Sequence, residues 1–203
     1  LDHGACSLEE SNPLATVQYI IFELADGDIR KHLNAFAALD LAFAMRSLHN
    51  VAVGIQQLHG VDVAHQDIKP SNVLRFPDEK TKLADLGRAS HRGGASPFDA
   101  LLIPGDRGYA PPELLYGFTS SDWSERRCGT DLFMFGNLVV FVFTRSTMTA
   151  QLLSQLPPEY RPREWRSTYA EVLPYLRDAY ARTLEMLECH LPEDIRVDLL
   201  AMI

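Results

Sequence analysis

Residues 65–74, HQDIKPSNVL, set a carboxylate, an ammonium and a carboxamide at Asp67, Lys69 and Asn72 between two apolar pieces of chain. A short hairpin-like stretch later comes Asp85-Leu86-Gly87. Together these residue types suit one chemistry, the passage of a phosphoryl group from a nucleotide to a hydroxyl. That reaction needs an oriented acceptor, a cation beside the migrating phosphate, and magnesium with its ligands. Asp67 can accept a hydrogen bond from the acceptor hydroxyl, and Lys69, two residues on, is a point charge for the phosphoryl group. Asn72 and Asp85 offer oxygen atoms to one hard cation, and Gly87 gives the backbone room to turn. A D-x-K-x-x-N pattern alone is a modest signal; with a hairpin and D-x-G behind it, the signal is much stronger. Turns do collect such residues without any chemistry, as caps or solvated charges. The grouping of all four disfavours that bland alternative.

These side chains need elements to hold them. Residues 17–24 (VQYIIFEL) form a β-rich apolar run ahead of the turn-like stretch 25–28. Leu41, Met45, Leu48, Ala52, Ile55 and Leu58 recur at spacings of three and four, which predicts an amphipathic helix over 39–58, with Gly60 as its stop. A short apolar stretch, 61–64, leads into the polar loop. Strands are expected at 72–75 and 81–84, joined by the turn-like 76–80. Residues 88–108 carry Gly, Ser, Arg and Pro without a period, and long loops of that kind are often functional. Gly93-Gly94 within it follows no long strand and precedes no helix, so it is no nucleotide fingerprint. Helices are expected over 131–144 and 169–189, with Pro157, Pro158 and Pro162 breaking the chain between them.

With 203 residues and 46% apolar content, the chain fits one domain with a real core. Its net charge of −8 disfavours nucleic acid as a partner and points, through long-range attraction, to basic protein substrates. Cys6, Cys128 and Cys189 are odd in number and far apart, which favours a reducing compartment, the cytoplasm, over a disulfide framework or a zinc site. The longest apolar run, 132–143, holds twelve residues; it suits a buried helix and is too short for a membrane span. The chain starts at Leu1 and stops at Ile203 in an uncapped apolar pattern, so truncation at both ends is expected.

Four segments, in order, resemble the eukaryotic-type protein kinases. HQDIKPSNVL resembles the H-R-D-L-K-x-x-N catalytic loop, and residues 84–87, ADLG, resemble the D-F-G segment with Leu for Phe. Residues 110–113, APPE, resemble A-P-E, and residues 131–136, DLFMFG, resemble the D-x-W-x-x-G start of a buried helix. The resemblance implies a mainly α fold with short β hairpins, a kinase-like C-terminal lobe preceded by hinge strands. The chain would then be a kinase domain fragment: 1–28 the end of the N-lobe and the hinge, 29–203 the C-lobe, and 85–113 the activation segment. It also implies magnesium-dependent transfer of the ATP γ-phosphate to a Ser or Thr hydroxyl of a protein. In that frame Asp67 orients the acceptor, Lys69 contacts the phosphate, and Asn72 and Asp85 hold Mg2+. Glu23, Leu24 and Ala25 form the hinge facing adenine, with Phe22 as gatekeeper, Leu74 beneath the ring and Asp28 near the ribose. His65 and Leu86 join an apolar spine, and Asp131 accepts hydrogen bonds from the catalytic-loop backbone.

The chain departs from that pattern in several places. Gln66 replaces the Arg that in many members pairs with a phosphorylated activation-loop residue, a charge-assisted fork that Gln cannot make. A non-RD kinase needing no such phosphate is therefore expected. Ser90 and Ser96 are the loop serines that modification would otherwise use. Asp106 stands where Ser/Thr kinases usually carry Thr; it either pairs with Lys69 or marks an unusual acceptor. The glycine-rich loop, the strand Lys and its helix Glu are missing, as is the Arg that usually partners the A-P-E glutamate, here Glu113. A pseudokinase or binding scaffold is the alternative reading, and little kinase activity is expected of this chain alone. A small-molecule phosphotransferase shares H-x-D, but Lys69 and A-P-P-E argue against it.

Overall fold

The computed structural model describes residues 2–7, 16–35, 38–94, 96–201 and 203. Strand β1 (Asp2–Ser7) pairs antiparallel with β2 (Thr16–Ile21), in register from Asp2↔Ile21 to Ser7↔Thr16. The apolar run TVQYII puts large side chains on both faces, the pattern of a strand meant to be covered on both sides. Here every residue of β2 is exposed, and the chain beyond it is more so, with Phe22 68% and Leu24 88% accessible.

The two-residue β3 (Gly27–Asp28) runs straight into α1 (Ile29–Ala35), where the Asp28 carboxylate accepts from the Lys31 N–H at 2.9 Å and so caps the helix. Ile29 and Leu33, one turn apart, are the residues that α1 buries. Helix α2 (Leu41–His59) starts at Asp40, whose side chain accepts from Phe43 N at 3.0 Å. It buries Phe43, Ala44, Ser47, Leu48, Val51 and Ile55. That stripe shares Leu48 and Ile55 with the expected one but is rotated about the helix axis, and Leu41 is exposed. The cause is packing on two sides, against the long core helix and against a short strand, where Gly54 faces the Leu83 side chain. Gly60 does end the helix, but in a right-handed conformation, and the left-handed residue is Asp62 at φ 56°.

Next come β4 (Val63–Ala64), β5 (Val73–Arg75), β6 (Thr81–Leu83) and β7 (Ser90–His91). Strands β3, β5 and β6 form one small sheet with β5 in the middle, and β4 pairs separately with β7. The polar loop 65–72 thus leaves one ladder and enters another. The 76–80 turn closes as expected, with Glu79 at φ 59°. The 3-10 turn Leu86–Arg88 leads to β7, beyond which the described residues up to 106 are irregular, followed by a 3-10 turn at Arg107–Tyr109.

After the short α3 (Pro112–Leu115), a π-helical turn Ser124–Cys128 feeds α4 (Gly129–Thr144). Helix α4 is apolar nearly all round, which is the mark of a helix inside a core. Met134, Leu138, Val139 and Val140 are fully buried, packed with Leu48, Val51 and Ile55 of α2. The helical run Ser124–Thr144 is long and apolar enough to cross a membrane by length and composition, yet 67% of it is buried inside the lobe. Helices α5 (Met148–Gln155), α6 (Tyr169–Glu188) and α7 (Arg196–Ala201) complete the fold. A second cluster of Leu152, Leu156, Val172, Leu176 and Ala179 joins α5 to α6. The architecture is the expected one, helical with short strands.

Candidate active site

The site is built from Asp131 outward. This carboxylate lies in the first turn of α4 and is fully buried. One oxygen accepts the His65 backbone N–H at 2.7 Å and lies 3.0 Å from His59 Nε2. The other accepts the Gln66 backbone N–H at 2.7 Å and the Gln66 side-chain amide at 3.0 Å. A charged acceptor makes these bonds stronger than neutral ones. They hold Gln66 at φ 68°, a left-handed conformation that only a well-tied side chain of this size keeps. His65 is a packed core residue: its Nδ1 accepts from Asp67 N, and its Nε2 donates to the Ala84 carbonyl at 2.9 Å. The imidazole therefore ties the polar loop to the residue just before Asp85.

Asp67, only 7% exposed, is the hub. One oxygen lies 3.0 Å from Lys69 Nζ and accepts from Asn72 Nδ2 at 3.0 Å. Asn72 Nδ2 also donates to the Asp67 carbonyl at 2.8 Å. The second carboxylate oxygen accepts the Asp106 backbone N–H at 3.0 Å, and the Asp106 side chain lies 3.7 Å from Lys69 Nζ. Of the two readings of Asp106, the structure takes the pairing with Lys69.

The close approach of Asp106 depends on its neighbour. A Cβ on Gly105 would collide with the Gln66 carbonyl and sit 2.9 Å from an Asp67 carboxylate oxygen and 3.1 Å from Asp67 Cα. Backbone cannot give way there as a flexible side chain would. Gly105→Ala is therefore expected to push residues 105–107 off the polar loop. The expected cost is about 1–3 kcal/mol of stability, the scale of overpacking. Thermal unfolding of the variant checks this; an unchanged midpoint would show that the contact is dispensable.

Asp85 sits at φ 68°, ψ 69°, exposed, its carboxylate accepting the Gly87 N–H at 3.3 Å. Ala84 N donates to the Asn72 carbonyl at 2.8 Å, so the chain segments bearing Asn72 and Asp85 are stitched together. Both Asn72 N–H contacts go to Asp67, and its oxygen has only a long 3.5 Å contact from Ser71 Oγ. A carboxylate and a carboxamide oxygen thus remain open to a cation. Among the described residues no cluster of three or more His, Cys, Asp or Glu could cage a metal. That donor set fits Mg2+, which takes one or two carboxylates and completes its shell with phosphate and water.

Asp28 stands opposite Leu74 in the β3–β5 ladder, and Asp26 N donates to the Arg75 carbonyl at 2.8 Å. Residues 22–25, with Glu23, Leu24 and Ala25, form the extended link from β2. The Glu23 carboxylate pairs with Lys82. Leu86 does not join His65 in the interior: the left-handed turn at Asp85 carries it outward, and it is 53% exposed.

A model of the protein kinase domain matches residues 7–157. The chain belongs to the eukaryotic-type protein kinase family. It is 32% identical over 111 residues to an Aurora kinase of Debaryomyces hansenii, covering 52% of this chain and 27% of that protein. It is 27% identical over 130 residues to mitogen-activated protein kinase 5 of Arabidopsis thaliana, covering 64% of this chain and 33% of that protein. The chain thus spans about a quarter to a third of these relatives. Among solved structures it is similar to a chain of the yeast RNA Pol II CTD kinase CTDK-1 complex, with a TM-score of 0.55 and 25% identity, over 72% of this chain and 45% of that one.

One buried residue of this chain was not marked by any motif or spacing. Arg127, 1% exposed, donates through Nη1 to Gln66 Oε1 at 3.1 Å, and Gln66 Nε2 donates back to the Arg127 carbonyl at 2.8 Å. Arg127 Nη2 donates to the Asp99 carbonyl at 2.9 Å and lies 3.8 Å from its carboxylate. Asp99 in turn accepts from Ser90 Oγ at 2.6 Å and from Ser96 N at 3.1 Å. Burial lowers the Arg127 guanidinium below its ordinary pKa and Arg126 adds to this, with Asp99 and Asp131 opposing. Burial pushes the Asp99 carboxyl up, but Ser90, Ser96, Arg127 and Arg126 together hold it below its ordinary value. Ser90 is itself buried and also accepts from Trp123 Nε1, so it is not presented for modification. The available signal was an Arg four residues before Asp131, one helical turn away, at the mouth of an apolar helix. Glu113 has no cation within ion-pair distance among the described residues, and burial raises its carboxyl above the ordinary value.

Proposed function

We propose that the full-length protein carrying this chain transfers the γ-phosphate of ATP to a Ser or Thr hydroxyl of a protein substrate. The observation that carries this reading is the meeting of Asp67, Lys69 and Asn72 at 3.0 Å contacts, with two free oxygen ligands beside them. Asp67 accepts the hydrogen bond of the acceptor hydroxyl and orients it toward the phosphorus. Lys69, released from Asp67 as the substrate arrives, keeps Asp106 as its counter-charge and meets the transferring phosphoryl oxygens. Asn72 and Asp85 would hold Mg2+, which when bound would supply positive charge against the phosphates. Leu74 and the 23–25 backbone would receive adenine, with Asp28 by the ribose.

A second proposal concerns the activation segment, residues 85–113. Its Asp99 is joined to the catalytic loop through Arg127 and Gln66, so a permanent carboxylate already links this segment to that loop. This supports a non-RD enzyme organised without modification. For the 203-residue chain alone, the uncovered Phe22 and Leu24 support the scaffold alternative, since half of a nucleotide cleft cannot exclude water.

One experiment tests both. The full-length protein is treated with phosphatase, then given magnesium, labelled ATP and a generic protein substrate. Labelled phosphoserine or phosphothreonine is the expected result. No label with or without phosphatase treatment sinks the kinase reading; label only in the untreated sample sinks independence from phosphorylation.

A further inference from the structure

We infer that the groove beside Asp67 selects protein segments carrying an Asp or Glu next to the reacting hydroxyl. Only the position of that hydroxyl rests on the phosphotransfer reading; the charge preference belongs to the groove itself.

From Asp106, bonded to Asp67, the chain continues through the 3-10 turn Arg107–Tyr109. That turn forms one wall of a groove of about 730 Å³. The facing wall comes from α5 and the proline-rich turn after it, and Leu115 and Leu153 supply apolar surface. Both walls are fixed. Thr147 Oγ1 donates to the Gly108 carbonyl at 3.2 Å and Asn137 Nδ2 to the Tyr109 carbonyl at 3.1 Å. Across the groove, Tyr116 OH donates to the Tyr160 carbonyl at 2.6 Å and Arg161 Nε to the Leu156 carbonyl at 3.1 Å.

Into this rigid groove come Arg107, Arg161 and Arg163, against one carboxylate, Glu164. Among the described residues none of the three guanidinium groups has a carboxylate within ion-pair distance, whereas Arg75 pairs with Asp26 and Arg92 with Asp62. A planar guanidinium matches a carboxylate with two parallel bonds, and three such groups with unused donors over an apolar floor suit an extended acidic segment. The net charge of −8 pulls the other way at long range. Salt screens it beyond about 8–10 Å, so at contact the arginines decide. Acidic substrates therefore replace the basic ones expected from net charge.

The test uses three labelled peptides with one central serine, alike except that the flanking residues are Asp and Glu, Asn and Gln, or Asn with one phosphoserine. Binding to the full-length protein is read by fluorescence anisotropy at low salt. The acidic peptide is expected to bind about tenfold tighter than the neutral one, the scale of one charge-assisted contact. The preference should vanish at high salt and in Arg163→Glu, whose side chain makes no contact that the fold needs, and fall in Arg161→Ala. Equal binding of acidic and neutral peptides overturns the inference, and so does a preference confined to the phosphoserine peptide. Phosphorylation of the same peptides separates the two readings. Acidic preference in binding without phosphate transfer leaves the groove standing and sinks the kinase reading. Equal transfer to all three with equal binding does the reverse.

Discussion

Asp67→Asn is expected to lower phosphate transfer by the full-length protein by roughly 10²–10⁴-fold, the range for losing a positioned proton acceptor. The substitution is isosteric, so packing around the 7%-exposed side chain is kept. Its chemistry is not. One carboxylate oxygen receives the Asp106 N–H at 3.0 Å, and the other faces two donors, Lys69 Nζ and Asn72 Nδ2, each at 3.0 Å. A carboxamide has a single oxygen. If that oxygen stays with Asp106, the new NH2 points at an ammonium and an amide; if it flips, the NH2 meets the Asp106 N–H. Neither state offers an anion to the acceptor hydroxyl. Lys69 is left with only Asp106, at 3.7 Å. The loss should appear in kcat far more than in KM, because the missing interaction matters most as the hydroxyl loses its proton. An unchanged kcat in Asp67→Asn would refute the role given to Asp67.

Much of this site could be read from residue types because it lies on one short stretch of chain. Asp67, Lys69 and Asn72 are close in sequence, and a loop between two strands must bring them together. Asp131 was legible only through the family resemblance of residues 131–136, which implies an acceptor for the backbone of the polar loop. What escaped was set by tertiary contact. The buried face of α2 is rotated from its expected stripe because two partners press on it, and periodicity reports only one face at a time. Helix α1 has seven residues and α5 eight, too short for a periodic signal to build. The family resemblance puts Leu86 in an interior spine, yet the left-handed Asp85 before it turns the chain outward. Arg127 drew no notice in the sequence because its partners, Gln66 and Asp99, lie 61 and 28 residues away. No spacing rule connects such positions. The same holds for Arg107 and Arg163, which share a groove only because α5 folds back on the 107–109 turn.

Asp131→Ala is expected to destabilise the fold by about 3–5 kcal/mol, the range for removing one partner of a buried charged network. The carboxylate is fully buried and serves four donors: the His65 and Gln66 backbone N–H groups, the Gln66 side-chain amide and His59 Nε2. Alanine removes the acceptors and leaves the buried His65 and Gln66 donors short of partners. Each orphaned group costs about 1–3 kcal/mol, but the groups share one cavity and can shift together, so the terms do not add in full. The left-handed Gln66 would loosen as well, since it keeps only its two bonds to Arg127, and with it the path from Arg127 to Asp67. Asp131→Asn should cost less than alanine, because its one oxygen can still serve one of the two backbone N–H groups while its NH2 opposes the other. Domains of this size are stable by about 5–15 kcal/mol, so the alanine variant would stand close to unfolding. Urea titration of the two variants and the parent gives the order parent, Asn, Ala, and amide exchange at residues 65 and 66 should quicken in the same order. A loss below about 1 kcal/mol in Asp131→Ala would mean that packing, and not this carboxylate, holds the polar loop in place.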